Sequence, residues 1–239
     1  MGRKPVLEAL DSDKAVEKVF IQFGTHGPSI SNIYTAAKRR GIPVQQAPSE
    51  RIAEMTGDME TQGVVAVVSP TTYLELDDLL AQLPTTEPAF LLLLDEIEDP
   101  HNLGALVRSA LCFGVQGTVI PKHHAATVNA TVMKTSAGAA LSMPIARVGN
   151  LVQAINELKE KGIRVIGTDG EGTTLVDDAD FTGPVALVIG NEGKGLRRLV
   201  RENCDVVVKI PMVGSFDSLN ASVAGAVVMY AASRKRKTV

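Results

Sequence analysis

The sequence contains no tryptophan, and aromatic residues make up only 4% of it. A nucleic-acid surface that stacks successive bases on aromatic side chains is therefore not expected. Only two cysteines occur, Cys112 and Cys204, and neither belongs to a CxxC pair. Their spacing disfavours both a disulfide framework and a zinc site. We expect two reduced, buried thiols in a cytoplasmic protein.

Long apolar runs and an excess of positive charge are missing as well. No apolar stretch reaches the roughly 18 residues that suggest a membrane span, and the first six residues do not form the apolar core of a signal peptide. The formal net charge is −3, so any contact with RNA or DNA has to come from local basic clusters. With 45% hydrophobic and 21% charged residues, the chain is expected to fold around an ordinary core rather than to be disordered.

The chain alternates predicted strands and helices in two successive blocks. Residues 1–70 form the first α/β block, and residues 71–88 read as a linker because Pro84 and Pro88 punctuate them. The second block, residues 89–239, opens with Phe90–Leu94, a fully apolar run typical of a strand buried on both faces. Further strands are predicted at Gly117–Ile120, Arg164–Thr168, Val185–Ile189 and Val206–Ile210, with helices at Leu103–Phe113, Ala126–Ala140, Leu151–Lys161, Gly195–Asn203 and Ala221–Ser233. This alternation predicts an α/β fold with a mostly parallel sheet.

A first polar loop follows the strand Phe90–Leu94. Asn102 stands just before a helical apolar stripe, where an N-cap belongs, and Arg108 falls on the flank of that stripe. A cap and a solvated arginine are the structural alternative to a functional pair. The acidic residues of this loop lack the histidine or cysteine spacing of a metal site, so we interpret them as a solvated turn: Asp95, Glu96, Glu98 and Asp99.

Glycine-rich loops follow two later strands, at Gly167–Gly172 and Gly190–Leu196. The second fails the phosphate-binding P-loop pattern because Leu196 follows Gly195. It also fails the dinucleotide fingerprint because Arg198 takes the place of the third glycine, which disfavours a nucleotide-dependent dehydrogenase. What remains is backbone that a ligand can approach closely, with Glu192 held in a glycine-flanked turn.

A third loop, within Ile210–Ala224, joins a β-branched run to a helix of small residues. In a strand–loop–helix layout, such polar groups lie at the carboxyl end of a strand, where ligands bind. An N-cap for the last helix is the structural alternative. The loop's polar side chains are Ser215, Asp217, Ser218 and Asn220.

Together the three loops resemble the motifs of the SpoU group of SPOUT RNA methyltransferases. The matching segments are Asp99–Arg108, Ile189–Leu196 and Ile210–Ala224. The first block is similar to the small, L30e-like substrate-binding domain of the rRNA guanosine methyltransferases of that group, through Gly2–Leu10 and Gln62–Ala66. Thr61 departs from the histidine that these enzymes often carry before the Gln-Gly pair.

The resemblance implies a deep trefoil knot in the second block, S-adenosylmethionine as the cofactor and a homodimer. It implies that the cofactor is bound by Thr168, Gly190, Ile210, Met212 and Leu219. It implies that the catalytic residues are Asn102, Arg108, Glu192, Ser218 and Asn220, with no metal. Arg108 would activate the ribose hydroxyl, or would position the substrate while another group takes the proton.

The implied reaction is methylation of the ribose 2′-hydroxyl of a guanosine in 23S rRNA. A tRNA enzyme of the same group and a non-catalytic RNA-binding or ribosome-assembly protein are the alternatives. The candidate phosphate contacts lie in three basic clusters, for which a helix end, a solvated face or a disordered tail is the structural alternative: Lys38–Arg40; Arg197, Arg198 and Arg201; and Arg234–Lys237.

Overall fold

The structure is a computed structural model that describes residues 1–12, 15–57, 59–214 and 218–236. The chain divides into two compact units, Met1–Thr72 and Tyr73–Val239. No helix among the described residues is both long enough and apolar enough to cross a membrane.

The first unit is a small mixed sheet with helices. Strand β1 (Val16–Gln22) lies in the centre, parallel to β2 (Val44–Ala47) and antiparallel to β3 (Val64–Val68). Its helices are α1 (Arg3–Asp11), α2 (Pro28–Arg39) and α3 (Ser49–Thr56). The main core of this unit forms where apolar residues of β1 and β3 meet α1 and α2.

The second unit is a seven-stranded sheet in which every pair of neighbouring strands is parallel, so the predicted parallel α/β fold is confirmed. The strand order is β6-β5-β4-β9-β7-β10-β8. The strands are β4 (Phe90–Leu94), β5 (Gly117–Pro121), β6 (Ile145–Val148), β7 (Arg164–Thr168), β8 (Thr174–Leu175), β9 (Val185–Ile189) and β10 (Val206–Lys209). The trefoil knot implied by the resemblance stays a prediction.

Helices cover both faces of this sheet. They are α4 (Leu76–Ala81), α5 (Pro100–Cys112), α6 (Ala130–Thr135), α7 (Ala139–Ser142), α8 (Leu151–Glu160), α9 (Arg198–Asn203) and α10 (Ala221–Arg236). Alternate residues of β4 enter opposite cores: Leu92 packs in the cluster that includes α5 and α10, and Leu91 in the cluster that includes α8. This placement explains why the strand has no polar residue.

Residues 73–88, which the sequence analysis assigned to a linker, pack with the second unit. Leu76 and Leu79 of α4 are buried in the same cluster as α8. A Cβ on Gly117 would lie 3.0 Å from both terminal methyl carbons of Leu79, so the glycine makes room for this helix.

The helix predicted over Ala126–Ala140 is wrong in extent. Asn129 accepts hydrogen bonds from the N–H groups of Thr131 and Val132, so the helix α6 begins after it. Ala137 and Gly138 then take left-handed conformations, with φ of 50° and 85°, and separate α6 from α7. The short strands β6 and β8 were missed by the sequence analysis, because runs of two to four residues carry little periodic signal.

The prediction of two buried thiols is wrong for Cys112, which is exposed near the end of α5. Cys204 is partly buried, and burial raises the pKa of its thiol to about 12. Both cysteines are free.

Candidate active site

The first predicted site residue, Asn102, lies inside α5 and is not its N-cap. The cap is Asp99, whose carboxylate accepts the N–H of His101 at 2.9 Å. Pro100 then occupies the first helical turn, where its missing N–H costs nothing. The side chain of Asn102 is therefore not needed to start the helix and is available for other contacts.

Asn102, Glu192 and Asn220 form one hydrogen-bonded network. The Nδ2 of Asn220 donates to Asn102 Oδ1 at 3.0 Å and to Glu192 Oε2 at 2.7 Å. The Nδ2 of Asn102 also lies 3.5 Å from the same Glu192 oxygen. The three matching segments, which are far apart in the sequence, thus meet at predicted functional side chains.

Asn220 is at the same time the N-terminal cap of α10. Its Oδ1 accepts the N–H groups of Ser222 at 2.9 Å and of Val223 at 3.4 Å, and the hydroxyl of Ser222 at 2.6 Å. The capping alternative considered from the sequence is therefore correct, and it coexists with the network. The oxygen of the side chain serves the helix, while the nitrogen serves the other two loops.

Arg108 is not part of this network. Its side chain is exposed on α5, six residues after Asn102. It makes no hydrogen bond or ion pair with any residue that the structure describes. Ser218 lines the neighbouring cavity, whereas Ser215 and Asp217 lie outside the described residues.

A cavity of about 800 Å³ opens beside the network, at the carboxyl ends of β7, β9 and β10. All five residues predicted to bind the cofactor line it: Thr168, Gly190, Ile210, Met212 and Leu219. Glu192 lines it too, and so connects the cavity to the network. The hydroxyl of Thr168 is buried without a hydrogen-bond partner in the described chain, which leaves a donor and acceptor for a ligand.

The glycines of the second loop allow its backbone to fold back on itself. A Cβ on Gly190 would lie 2.4 Å from the carbonyl carbon of Gly195, so a side chain cannot fit there. Gly195 has a φ of +65°, a conformation that glycine adopts without strain. This close approach explains a glycine-rich loop that fits neither nucleotide pattern.

Asp95 is the clearest error in the sequence analysis of the site. We interpreted it as part of a solvated turn, but it is fully buried. Its carboxylate accepts the backbone N–H of Arg197 at 2.9 Å and the Nε of the same residue at 2.6 Å. Asp169, which the sequence analysis did not single out, lines the cavity and accepts the N–H of Leu196 at 3.1 Å. The sequence signal that the two share is an acidic residue directly after a buried strand.

The basic cluster near the second loop is largely paired with acids, which supports the structural alternative for it. Arg197 contacts Asp95, and Arg198 contacts Glu202 at 2.8 Å. Arg201 lies 2.6 Å from Glu171, and this hydrogen bond raises the pKa of Arg201. The exposed Lys194, at the tip of the loop, makes no such pair with the described residues.

The other two basic clusters are also partly occupied by structural contacts. Arg40 donates to three carbonyl groups at the end of α1, and Arg39 pairs with Asp11 at 2.8 Å. Lys235 and Arg236 donate to backbone carbonyls of the second unit, while Lys237 lies outside the described residues. Lys38 is exposed and makes no side-chain hydrogen bond or ion pair with the rest of the described chain.

No group of three or more potential metal ligands occurs among the described residues. The acids of the first loop instead serve separate purposes: Asp95 binds Arg197, Asp99 caps α5, and Glu98 lies 3.5 Å from the Nδ1 of His124.

Comparison with known proteins accounts for both units. Residues 89–230 match the SpoU rRNA Methylase family, and residues 1–74 match the family described as RNA 2′-O ribose methyltransferase substrate binding. A putative TrmH family tRNA/rRNA methyltransferase, YacO of Bacillus subtilis, is 44% identical over 241 residues, which cover 100% of this chain and 96% of the relative.

Two solved structures are similar along almost the whole chain. The SpoU methyltransferase AviRb of Streptomyces viridochromogenes, in complex with the cofactor AdoMet, has a TM-score of 0.64 and 29% identity; the match covers 100% of this chain and 89% of that one. The AdoMet-bound rRNA methyltransferase of Sinorhizobium meliloti also has a TM-score of 0.64, with 25% identity over 97% of this chain and 84% of that one. The chain belongs to the SpoU rRNA methylase family and carries that family's RNA substrate-binding domain ahead of the methylase domain.

Proposed function

We propose that this protein methylates the ribose 2′-hydroxyl of a guanosine in 23S rRNA, with S-adenosylmethionine as the methyl donor. Family membership supports RNA ribose 2′-O-methylation. The observation that carries the proposal to this chain is the Asn102–Glu192–Asn220 network at the edge of a cavity lined by all five predicted cofactor residues. The choice of rRNA is supported by the likeness of both units to an rRNA methyltransferase.

The cavity suits S-adenosylmethionine. An adenine ring needs polar groups along its edge and an apolar surface against its face. The side chains of Ile210, Met212 and Leu219 supply the apolar surface. Thr168 contributes its unpartnered hydroxyl. Gly190 lets the backbone of the second loop close onto Gly195 in the wall of this cavity. The bound cofactor supplies an activated methyl group on a sulfonium.

The network orients the reacting groups. Both N–H bonds of the Asn220 amide are used, one for Asn102 and one for Glu192, while its oxygen is held by α10. Asn102 and Glu192 are therefore each hydrogen-bonded to Asn220 without a substrate. Alignment of two bound reactants contributes about 7–11 kcal/mol to lowering a barrier. In this geometry, the network contributes to alignment by holding Glu192 at the edge of the cavity.

Arg108 meets the target nucleotide. Its side chain is exposed and has no partner in the described chain, so its donors are available for a ribose hydroxyl or a phosphate oxygen. Guanidinium is normally protonated, which favours positioning of the substrate over removal of its proton. A pH–rate profile separates the two roles, because a group that takes the proton gives the rate a dependence on its own ionisation.

We expect the active form to be a homodimer. Apolar side chains of the second unit lie exposed along α10 and at the end of α5: Leu111, Val223, Val227 and Tyr230, with exposed fractions of 43%, 49%, 38% and 54%. The ring of Tyr230 packs edge-to-face on Phe113, with centroids 5.9 Å apart, which joins the two helices into one surface. A monomeric protein rarely exposes a large apolar patch to water unless the patch binds a partner. Sedimentation velocity of the wild type and of Val227→Glu tests this, and a monomeric wild type would contradict it.

The central experiment is tritium transfer from labelled S-adenosylmethionine to separate 23S rRNA and tRNA fractions, followed by mapping of the modified ribose. We expect label at a guanosine of 23S rRNA. Label in tRNA alone assigns the tRNA activity instead, and cofactor binding without transfer to either RNA supports a non-catalytic role. Arg108→Ala is expected to abolish transfer and to leave cofactor binding by calorimetry unchanged. Full transfer by this variant contradicts the role of Arg108.

A further inference from the structure

Two carboxylates flank the strand that carries the second loop. Asp95 is the first residue after β4, and Asp169 is the first after β7. Both strands are hydrogen-bonded to β9, one on each side. Because the three strands are parallel, their carboxyl ends lie at one edge of the sheet. The loop Gly190–Arg197 therefore leaves β9 between two acidic side chains.

These carboxylates bind two consecutive amides at the far end of the loop. Asp169 Oδ2 accepts the N–H of Leu196 at 3.1 Å, and Asp95 Oδ2 accepts the N–H of Arg197 at 2.9 Å. Asp95 Oδ1 also accepts the Nε of Arg197 at 2.6 Å. The loop is thus attached to the end of each strand that neighbours β9.

Both carboxylates are largely shielded from water, so water cannot easily replace the backbone N–H groups that they bind. Asp95 is fully buried, and the side chain of Asp169 is 10% exposed. A buried carboxylate is costly unless it is hydrogen-bonded, and bonds from backbone N–H groups to a charged oxygen are stronger than neutral ones. Loss of either amide contact therefore leaves a largely buried carboxylate with fewer donors: Asp169 keeps the N–H of Glu171 at 2.9 Å, and Asp95 keeps the Nε of Arg197 at 2.6 Å.

The rest of the loop transmits this constraint to Glu192. Asn191 and Gly195 exchange two backbone hydrogen bonds of 3.0 Å, and Asn191 Nδ2 donates to the carbonyl of Glu96 at 3.1 Å. Glu192 stands at the tip of this closed loop, with Oε2 2.7 Å from Asn220 Nδ2. Its position depends on where residues 196 and 197 are held.

We infer that Asp95 and Asp169 are positioning residues for methyl transfer: they hold the second loop so that Glu192 meets Asn220 and Asn102. The inference rests on the proposed function, since it assumes that this network acts in the transfer. A misplacement of about 1 Å at a reacting centre lowers a rate by roughly 100-fold. Neither acid is required to touch the substrate or the cofactor for this effect.

Asp95→Asn tests the inference in the full-length protein. The amide has the size of the carboxylate, but it lacks the charge and presents an N–H donor to Arg197. We expect kcat for tritium transfer to fall by roughly 100-fold while the KM for RNA stays within about twofold. Glu98→Gln is the matched control. It removes a charge from the same loop, where the exposed Glu98 lies 3.5 Å from the exposed His124, and it should transfer methyl at the wild-type rate.

A double-mutant cycle with Glu192→Gln distinguishes positioning from general loss of structure. If Asp95 acts through Glu192, Asp95→Asn lowers the residual kcat of Glu192→Gln by less than about threefold, because the contact it supports is already gone. A multiplicative loss in the double variant overturns the inference, and so does full activity of Asp95→Asn.

Thermal unfolding accompanies each measurement. If Asp95→Asn does not fold, Asp169→Asn takes its place in the same cycle, and failure of both to fold assigns the two acids to stability and overturns their positioning role. Failure of the proposed function looks different, since the wild type would then transfer no methyl group to either RNA.

Discussion

Replacement of Asn220 separates its two roles, because one atom caps α10 and another joins the network. Serine keeps an oxygen that can cap the helix but has no side-chain nitrogen to reach Asn102 and Glu192. Alanine removes both functions. Loss of an N-cap costs typically about 1 kcal/mol. In a unit of this size that lowers the melting temperature by roughly 2–4 °C. We therefore expect Asn220→Ala to melt about that much below the wild type, and Asn220→Ser to melt close to it.

Activity should divide the same variants differently. Both lose the 2.7 Å and 3.0 Å contacts that fix Glu192 and Asn102, so both should transfer methyl groups roughly 100-fold more slowly. The assays are differential scanning calorimetry and tritium transfer, with calorimetric titration of S-adenosylmethionine to show that the cavity is intact. Full transfer by Asn220→Ser would refute the network, and equal melting of the serine and alanine variants would refute the cap.

Three further outcomes are expected. Gly190→Ala places a Cβ 2.4 Å from the backbone of Gly195 and should destabilise the protein by about 1–3 kcal/mol in chemical denaturation. The control Gly193→Ala places its Cβ in open space and should not destabilise it. Equal stabilities of the two variants contradict the close approach. Arg236→Ala removes hydrogen bonds to the carbonyls of Pro88, Ala89 and Phe181 and should lower the free energy of unfolding by roughly 2 kcal/mol, since the donor is charged. Arg198→Ala removes an exposed ion pair with Glu202 and should lower it by less than about 0.5 kcal/mol by the same method. The Cys204 pKa of about 12 keeps that thiol protonated at pH 8, so a thiol reagent should modify only the exposed Cys112 in the native protein. The folded Cys112→Ser variant should therefore not react. Rapid modification of a second thiol contradicts the burial of Cys204.

The sequence was sufficient where one local pattern determines the structure. Five apolar residues in β4 predicted a strand buried on both faces, and the structure places its alternate side chains in two cores. The site residues were found as types at motif spacing, and the cavity lining includes every predicted cofactor residue. The roles assigned to these residues stay predictions.

The errors arose where the partner of a residue is distant in the sequence. Asp95 looks like any acid in a turn until Arg197, 102 residues later, is placed against it. Arg197 was predicted as a candidate phosphate contact without this partner in view, and its contact with RNA stays a prediction. The cap of α5 was misplaced although Pro100 marked the first turn, because Asn102 fitted a capping pattern equally well. Polar side chains reveal their type in a sequence, but the atom that satisfies them is set by the fold.

The place of β9 in the sheet has a consequence for how the chain folds. It lies between β4 and β7, yet both of those strands precede it in the sequence. During synthesis, β4 and β7 each present an unpaired edge until β9 emerges, and such edges invite pairing with other chains. Contacts of this sequence separation also form slowly. The nascent enzyme therefore passes through a period in which about two thirds of the chain has been synthesised but the central strand of the sheet is absent. During this period the cavity lacks the part of its wall that β9 and the second loop supply.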